Sequence, residues 1–310
     1  MGKVYIGIDF GGTNIRFIVY NQDLDRFEKF EKKEIIIFDG LLEEVDANIV
    51  SHIKKIADEQ KEKGNILAGI GLSLAARFNS DTGEIEEWSN NPKYKGFSLQ
   101  KYLRDIFDVT VVQLDDANAA TLGEHWFGKG KGSENFVYIT VGTGIGCGMI
   151  VQNKLLLGQN GWAGEIGHIQ VAFDKGYICS CGKEGCLQAV SSGKAIYKNY
   201  KKRFTSLYGA NIDAKNSEEV FNLAQKGNAI ACDIVNEAAD YLGKTIANMA
   251  IILDVLLFVI GGGVACKENE FTKAVIHSMN KCLQGKREVE IKISELNDKN
   301  GAIGVIKWMI

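Results

Sequence analysis

The apolar residues at the start of the chain fall into strand-length runs, each closed by small residues. Residues 4–9 (VYIGID) read as a strand, Gly11 and Gly12 as a turn, and residues 15–20 (IRFIVY) as a second strand. The apolar cluster IIIF at 35–38 predicts a third. From Leu42 the spacing lengthens: Leu42, Val45, Ile49, Ile53 and Ile56 recur every three or four residues, predicting an amphipathic helix that ends near Gly64. Residues 67–74 form a strand pattern broken by glycines. Residues 109–114 form another, with Thr110 and Gln113 its only polar members, and residues 117–124 favour helix. This first part reads as α/β with a mixed sheet.

The pattern then repeats. Residues 136–141 predict a strand, 142–148 a glycine turn and 149–151 a second strand. IGIDFGGTNIRFIVY and YITVGTGIGCGMIV are each strand, small-residue turn, strand, which implies an internal duplication with a cleft between the halves. A helical stretch at 231–253 leads into a strand at 256–260 and the turn Gly261-Gly262-Gly263. No low-complexity segment or linker interrupts the chain.

Composition narrows the function classes. With 310 residues, 45% apolar and 24% charged, the chain suits two domains with substantial cores. A net charge of -3, with Lys and Arg dispersed, gives no nucleic-acid surface. No apolar run approaches the roughly 18 residues of a membrane span. The N-terminal MGKVYIGID reads as strand and not as a signal peptide, so a cytoplasmic protein is expected. Seven cysteines, an odd count, argue against a disulfide framework. Cys147, Cys232, Cys266 and Cys282 are scattered and read as small apolar core residues. The 35 glycines, against one proline, cluster after apolar runs, where a backbone must approach something closely.

Three groups of residues carry candidate chemistry. DFGGTN, 9–14, joins two strands through a turn whose N–H groups can converge on phosphate oxygens. Thr13 adds a hydroxyl, and Asp9 could hold Mg²⁺ through water. GTGIGCG, 142–148, offers the same in the second half. These glycines lead into strand, unlike a dinucleotide fingerprint, and neither turn ends as a P-loop does. Each turn alone could be no more than a tight hairpin. His168, Cys179, Cys181 and Cys186 form a Cys₃His set with knuckle spacing, suited to tetrahedral Zn²⁺ with no position left for water, hence a structural zinc. Free or oxidation-prone thiols are the alternative. Glu165 lies just before His168, whereas His52, His125 and His277 read as packing or surface histidines. Finally, Asp115 and Asp116 stand side by side where strand becomes helix: a solvated turn, a helix cap, or a catalytic base beside a substrate ligand.

Taken together, DFGGTN, LDDANAATLGEHWFG, VGTGIGCGMI, GQNGWAGEIGHI, CSCGKEGCL, LDVLLFVIGGG and NGAIG resemble the ROK family (repressors, open reading frames and sugar kinases) over essentially the whole chain. The resemblance implies a duplicated actin-like (ribonuclease H-like) ATPase fold, with two lobes, a sugar cleft between them, and a homodimer. It implies an N-terminal lobe at 1–116, completed by a C-terminal helix at 299–310, and a larger lobe at 117–298 with the zinc loop. Repressor members carry a DNA-binding domain before the first glycine turn; here that turn begins at residue 9, so the kinase branch is expected. The implied activity is transfer of the ATP γ-phosphate, with Mg²⁺, to the 6-hydroxyl of a hexose (glucose, allose or similar) or an N-acylhexosamine. Asp116 maps onto the general base. Asn90, Asp115, Glu165, His168 and Gln188 map onto sugar contacts. Asp9, Gly11, Gly12, Thr13, Thr143 and Gly144 map onto phosphate contacts, and Gly262 and Gly263 onto the adenosine side. His168 takes both zinc and sugar in this mapping.

Departures from the family pattern gather at the sugar. Ala75-Ala76, followed by Arg77, replaces the usual Pro-Gly; Asp115 stands where Asn is usual, and Gln188 where Glu is usual. A site built to hydrogen-bond particular hydroxyls discriminates through such groups, so this pocket is expected to read hydroxyls differently from a typical glucokinase. Arg16 and the non-Asn residue before the base are similar to the allose kinase branch, while GEHWFG and VYITVGTGIG look like glucokinase and general hexose kinase members. A non-catalytic sugar-binding regulator and an actin-like or chaperone-type ATPase are the competing readings.

Overall fold

A computed structural model of the chain describes residues 1–11, 14–79, 81–173, 175–209, 214–265 and 268–310. It divides into two compact units. The first comprises Met1–Lys131, Gln159–Gly161 and Asp298–Ile310, the second Gly132–Gly158 and Trp162–Asn297.

The first unit contains, in order, β1 (Gly2–Phe10), β2 (Asn14–Asn21), β3 (Arg26–Glu34), α1 (Leu41–Val45), α2 (Ser51–Glu62), β4 (Asn65–Leu74), the short strands β5 (Arg77–Phe78) and β6 (Ile85–Glu87), α3 (Leu99–Phe107), β7 (Thr110–Asp115) and α4 (Asp116–Phe127). Its main sheet has the order β3-β2-β1-β4-β7. The β3-β2-β1 meander is antiparallel, and β1, β4 and β7 run parallel. The central strands are buried on both faces, which explains their nearly unbroken apolar runs. A wide helical turn, Asp46–Val50, joins α1 to α2. Val45, Ile49, Ile53 and Ile56 of this stretch are fully buried, whereas Leu42 is half exposed.

The third strand differs from the expected one. It is the charged segment RFEKFEKKE, and residues 35–38 lie outside any strand. An edge strand buries little, so it tolerates charge on both faces, and charge also protects the edge from unwanted pairing. Ile36 and Ile37 are instead 57% and 79% exposed. The Asn48 amide holds their loop, donating to the Ile36 carbonyl (2.6 Å) and accepting from the Ile36 N–H (2.8 Å).

The first unit extends to Lys131 and so past the expected boundary at 116, because α4 packs with the C-terminal helix Asn300–Met309. These two helices cross nearly backbone to backbone. A Cβ on Gly304 would lie 1.6 Å from the Ala119 carbonyl oxygen, and one on Gly123 would lie 2.2 Å from that of Asn300.

The second unit repeats the plan with β8 (Phe136–Val141), β9 (Ile145–Val151), β10 (Lys154–Leu155), α5 (Leu187–Ser191), α6 (Gly193–Tyr208), α7 (Ser217–Gln225), α8 (Ala229–Leu253), β11 (Leu257–Gly261), α9 (Glu270–Leu283) and β12 (Glu290–Ile293); the C-terminal helix is α10. Its sheet has the order β10-β9-β8-β11-β12, again an antiparallel meander followed by parallel strands. Strand order and direction thus match position for position, as an internal duplication requires. Here β9 begins at Ile145, earlier than residue 149, because Gly146 and Gly148 pair with Thr140 and Tyr138; the turn itself shrinks to 142–144. The core of this unit packs α8 and α9 against the sheet around Phe258, Ile246, Leu242, Val275 and Met279. No helix among the described residues is long and apolar enough to cross a membrane.

Candidate active site and metal cluster

In the first unit the candidate residues lie where the parallel strands end, the usual ligand-binding end of such sheets. Register places Asp9 opposite Ser73, and Leu74 opposite Asp115. Asp9 is held firmly: its Oδ1 accepts from the Ser73 hydroxyl at 2.6 Å and its Oδ2 from Arg16 Nη1 at 3.1 Å. Burial pushes the Asp9 carboxyl above the usual range, against the opposing pull of Ser73 and Arg16. Arg16 also reaches Asp298 Oδ2 through Nη2 at 3.1 Å, and Lys32 Nζ donates to the same oxygen at 2.8 Å. The Arg16 Nη1 lies 2.6 Å from where a Cβ on Gly11 would sit, so the guanidinium rests directly on the first glycine turn. Gly12 and Thr13 fall outside the described residues.

Asp115 is the last residue of β7 and the N-cap of α4, its Oδ1 accepting from the Asn118 N–H at 3.0 Å. The Asn118 side-chain amide donates to its Oδ2. Such a cap satisfies one of the orphan donors at the helix start. Asp116, one residue on, is exposed in the first turn of α4. The loop carrying exposed Asn90 is anchored by Trp88, which packs edge-on against Phe10 with ring centroids 5.4 Å apart. Buried Glu44 holds the same loop by accepting from Lys93 Nζ and the Tyr94 hydroxyl.

In the second unit the two glycine turns meet. The Val264 N–H donates to the Val141 carbonyl (3.0 Å), and that of Gly193, the first residue of α6, to the Gly142 carbonyl (2.8 Å). The segment holding Gly262 and Gly263 therefore lies beside Thr143 and Gly144, both of which are exposed. Next to this turn stands the 3₁₀ turn Ile166–His168, with the His168 N–H on the Glu165 carbonyl at 3.0 Å. Glu165 Oε2 is 3.7 Å from His168 Nε2.

The other imidazole nitrogen faces sulfur. His168 Nδ1 is 3.7 Å from Cys179 Sγ, and Cys181 Sγ is 3.7 Å from Cys186 Sγ. All four donor atoms lie within 4.8 Å of one another. A tetrahedral zinc with Zn–S near 2.3 Å sets its sulfurs roughly 3.8 Å apart, so donor type and spacing both fit that ion. Burial pushes the Cys186 thiol up to about 12, helped by Cys181 and Cys179. In Cys179 burial acts in the same direction but is outweighed by hydrogen bonds from Cys181, Gln188 and His168, which bring it down to about 6. Three sulfurs this close resist joint ionisation, and a divalent cation among them offsets that repulsion.

Sequence reasoning found the Cys₃His set and both glycine turns. It missed Ser73 and Asp298 as partners of the first turn, since they lie 64 and 289 residues from Asp9 in a chain whose local pattern marks neither.

Comparison with known proteins agrees with this architecture. The ROK family model matches residues 5–310. A glucokinase of Halalkalibacterium halodurans is 33% identical over 97% of this chain and 93% of its own. The crystal structure of a ROK hexokinase from Thermus thermophilus superposes with a TM-score of 0.83 at 29% identity, covering 97% of this chain and 96% of that one. A ROK family glucokinase from Streptomyces griseus, crystallised with glucose and AMPPNP, gives 0.78 at 27% identity over 98% of each chain. By sequence, strand order and Cys₃His cluster alike, the chain belongs to the ROK family and has its duplicated actin-like fold.

Proposed function

We propose that this protein is an ATP-dependent sugar kinase that phosphorylates the 6-hydroxyl of a hexose, such as glucose or allose, or of an N-acylhexosamine. The observation that carries the reading is the placement of Asp116: an exposed carboxylate where β7 gives way to α4, at the same strand ends as Asp9 and the first glycine turn. The similarity to a glucokinase over nearly the full length supports it.

In this reading Asp116 accepts the 6-hydroxyl proton as that oxygen attacks the γ-phosphorus of MgATP. The bond from γ-phosphorus to the β-bridging oxygen breaks, ADP leaves, and the proton remains on Asp116. A positioned base contributes roughly 10²–10⁴-fold, and alignment and charge neutralisation supply most of the rest. Gly11, Gly12, Thr13, Thr143 and Gly144 receive the phosphates, with Gly262 and Gly263 toward the adenosine. Asp9 would hold, through water, the Mg²⁺ that comes with the nucleotide. Asn90, Asp115, Glu165, His168 and Gln188 read the sugar. His168, Cys179, Cys181 and Cys186 would hold a structural zinc, which would cross-link their loop and fix the tautomer of His168, whose Nε2 lies on the side of Glu165. The reading carries a cytoplasmic location and a homodimer, which light scattering tests.

The deciding experiment is a coupled ADP-release assay across aldohexoses and N-acylhexosamines. At least one sugar is expected to turn over, and Asp116→Asn to lower kcat by roughly 10²–10⁴-fold with sugar affinity kept by calorimetry. No turnover with any of these sugars would falsify the kinase reading, and an active Asp116→Asn would remove Asp116 as base.

A further inference from the structure

Asp9 is met from the far end of the chain. β1 and β4 run side by side with Gly7 opposite Gly71 and Asp9 opposite Ser73. Side chains alternate along a strand, so these four residues share one face of the sheet. α10 covers that face. A Cβ on Gly7 would sit 2.0 Å from the Ala302 carbonyl oxygen, and one on Gly71 would sit 2.8 Å from Val305 Cβ. The two glycines thus let the helix backbone come down onto the strands. One turn before Val305, the same close approach sets Gly301 on the polar pair. A Cβ there would lie 2.5 Å from Asp9 Oδ1 and 2.7 Å from Ser73 Oγ, both well inside van der Waals contact. Gly304 differs, because it meets the backbone of α4.

The Asp9 carboxyl is held from both sides. Ser73 is fully buried, and its hydroxyl donates to Oδ1 at 2.6 Å. Arg16 Nη1 holds Oδ2 at 3.1 Å, while Arg16 Nη2 reaches Asp298, just ahead of α10, also at 3.1 Å. The segment from Asp298 to Gly301 therefore acts on Asp9 twice, through the guanidinium on one oxygen and through bare backbone beside the other. Only a residue without a side chain leaves the Ser73 hydroxyl and the carboxyl in this arrangement.

We propose that the start of α10 belongs to the phosphate site, with Gly301 and Ser73 as positioning residues that hold Asp9 in one orientation beside the first glycine turn. A methyl group at 301 displaces the carboxyl, and loss of the Ser73 hydroxyl frees it to turn. Either change lowers affinity for the metal-bound nucleotide and leaves sugar affinity as it was. The task given to Asp9 here rests on the kinase reading.

Titration calorimetry tests this with the magnesium complex of AMPPNP and, separately, with the accepted sugar. The chains compared are wild type, Gly301→Ala, Ser73→Ala, Asp9→Asn and the pairs that join Asp9→Asn to each of the other two, all checked for folding by circular dichroism. Gly301→Ala and Ser73→Ala are each expected to raise the nucleotide Kd roughly 10–100-fold and to leave the sugar Kd unchanged. Each paired variant should bind the nucleotide no more weakly than Asp9→Asn alone, because residues that act through Asp9 have nothing further to lose once it is altered. A glycine or serine that merely packs the helix would instead add its own loss and weaken both ligands together. If Gly301→Ala does not fold, Ser73→Ala and its pair decide. Unchanged nucleotide affinity in the single variants, additive losses in the pairs, or an Asp9→Asn chain that binds like wild type each overturn the proposal. A wild type that binds no magnesium nucleotide overturns the kinase reading itself.

Discussion

His52 has an environment that its place in the sequence pattern does not announce. Its ring lies edge-on to Phe17, with centroids 4.4 Å apart, and its Nε2 meets Glu31, which also takes Lys29 Nζ at 2.9 Å. Burial, and then the nearby Lys33, push the imidazole below its ordinary value although Glu31 pulls the other way. In the unfolded chain His52 titrates near 6.5. As pH falls through that value the unfolded state takes up the proton before the native state does, so the stability His52 contributes is present above about 6.5 and is lost as pH falls toward its lower native value. Melting temperature should therefore drop between pH 7.5 and 5.5, and His52→Phe should reduce that drop; an equal drop in the variant would clear His52 of the effect. At this scale the pattern left His52 as a packing or surface histidine, and its carboxylate partner was not legible, since Glu31 sits on an edge strand that apolar patterning passes over.

Helix α4 shows how an element divides work between neighbouring acids. Asp115 is spent partly on the cap, both oxygens engaged by Asn118, while Asp116 begins the helix itself. Asn caps a helix about as well as Asp, whereas Ala does not. Asp115→Ala is thus expected to cost about 1 kcal/mol in denaturant unfolding. Asp115→Asn should leave stability within a few tenths of a kcal/mol and change the sugar KM profile. If Asp115→Asn destabilises as much as Asp115→Ala, capping is not what the carboxylate supplies. Elements of this kind were readable wherever burial is two-sided or chemistry is local. The buried strands β1, β4, β7 and β8 carry nearly continuous apolar runs, and the metal ligands Cys179, Cys181 and Cys186 lie within eight residues. β3 was not readable because an edge strand need not be apolar, and the IIIF run pointed to the wrong segment.

Across the whole molecule, the repeated strand order is the part of the architecture most directly written in the chain, through two matched strand-turn-strand segments. The network Asp9–Arg16–Asp298–Lys32 is the opposite case, since it ties the first glycine turn to the start of α10 across almost the entire sequence. The fit of α10 against α4 should be equally unforgiving. Gly304→Leu would drive a side chain into the Ala119 carbonyl, and we expect a loss of at least about 3 kcal/mol or an insoluble chain, measured by urea unfolding and soluble yield. A variant that melts with wild type would show that the two helices can separate without consequence.

The return of α10 to the first unit also sets an order of events during synthesis. The second unit runs from Gly132 to Asn297 with only Gln159–Gly161 set apart from it, so it emerges as a nearly unbroken stretch with its own core. The first unit is begun before the second and completed after it: β1, β4 and α4 must wait, with the surfaces that α10 will cover still wet, until Asn300–Met309 have left the ribosome. The nascent chain therefore spends most of its synthesis time with an unfinished amino-terminal half, and that half is where chaperones and proteases would find it.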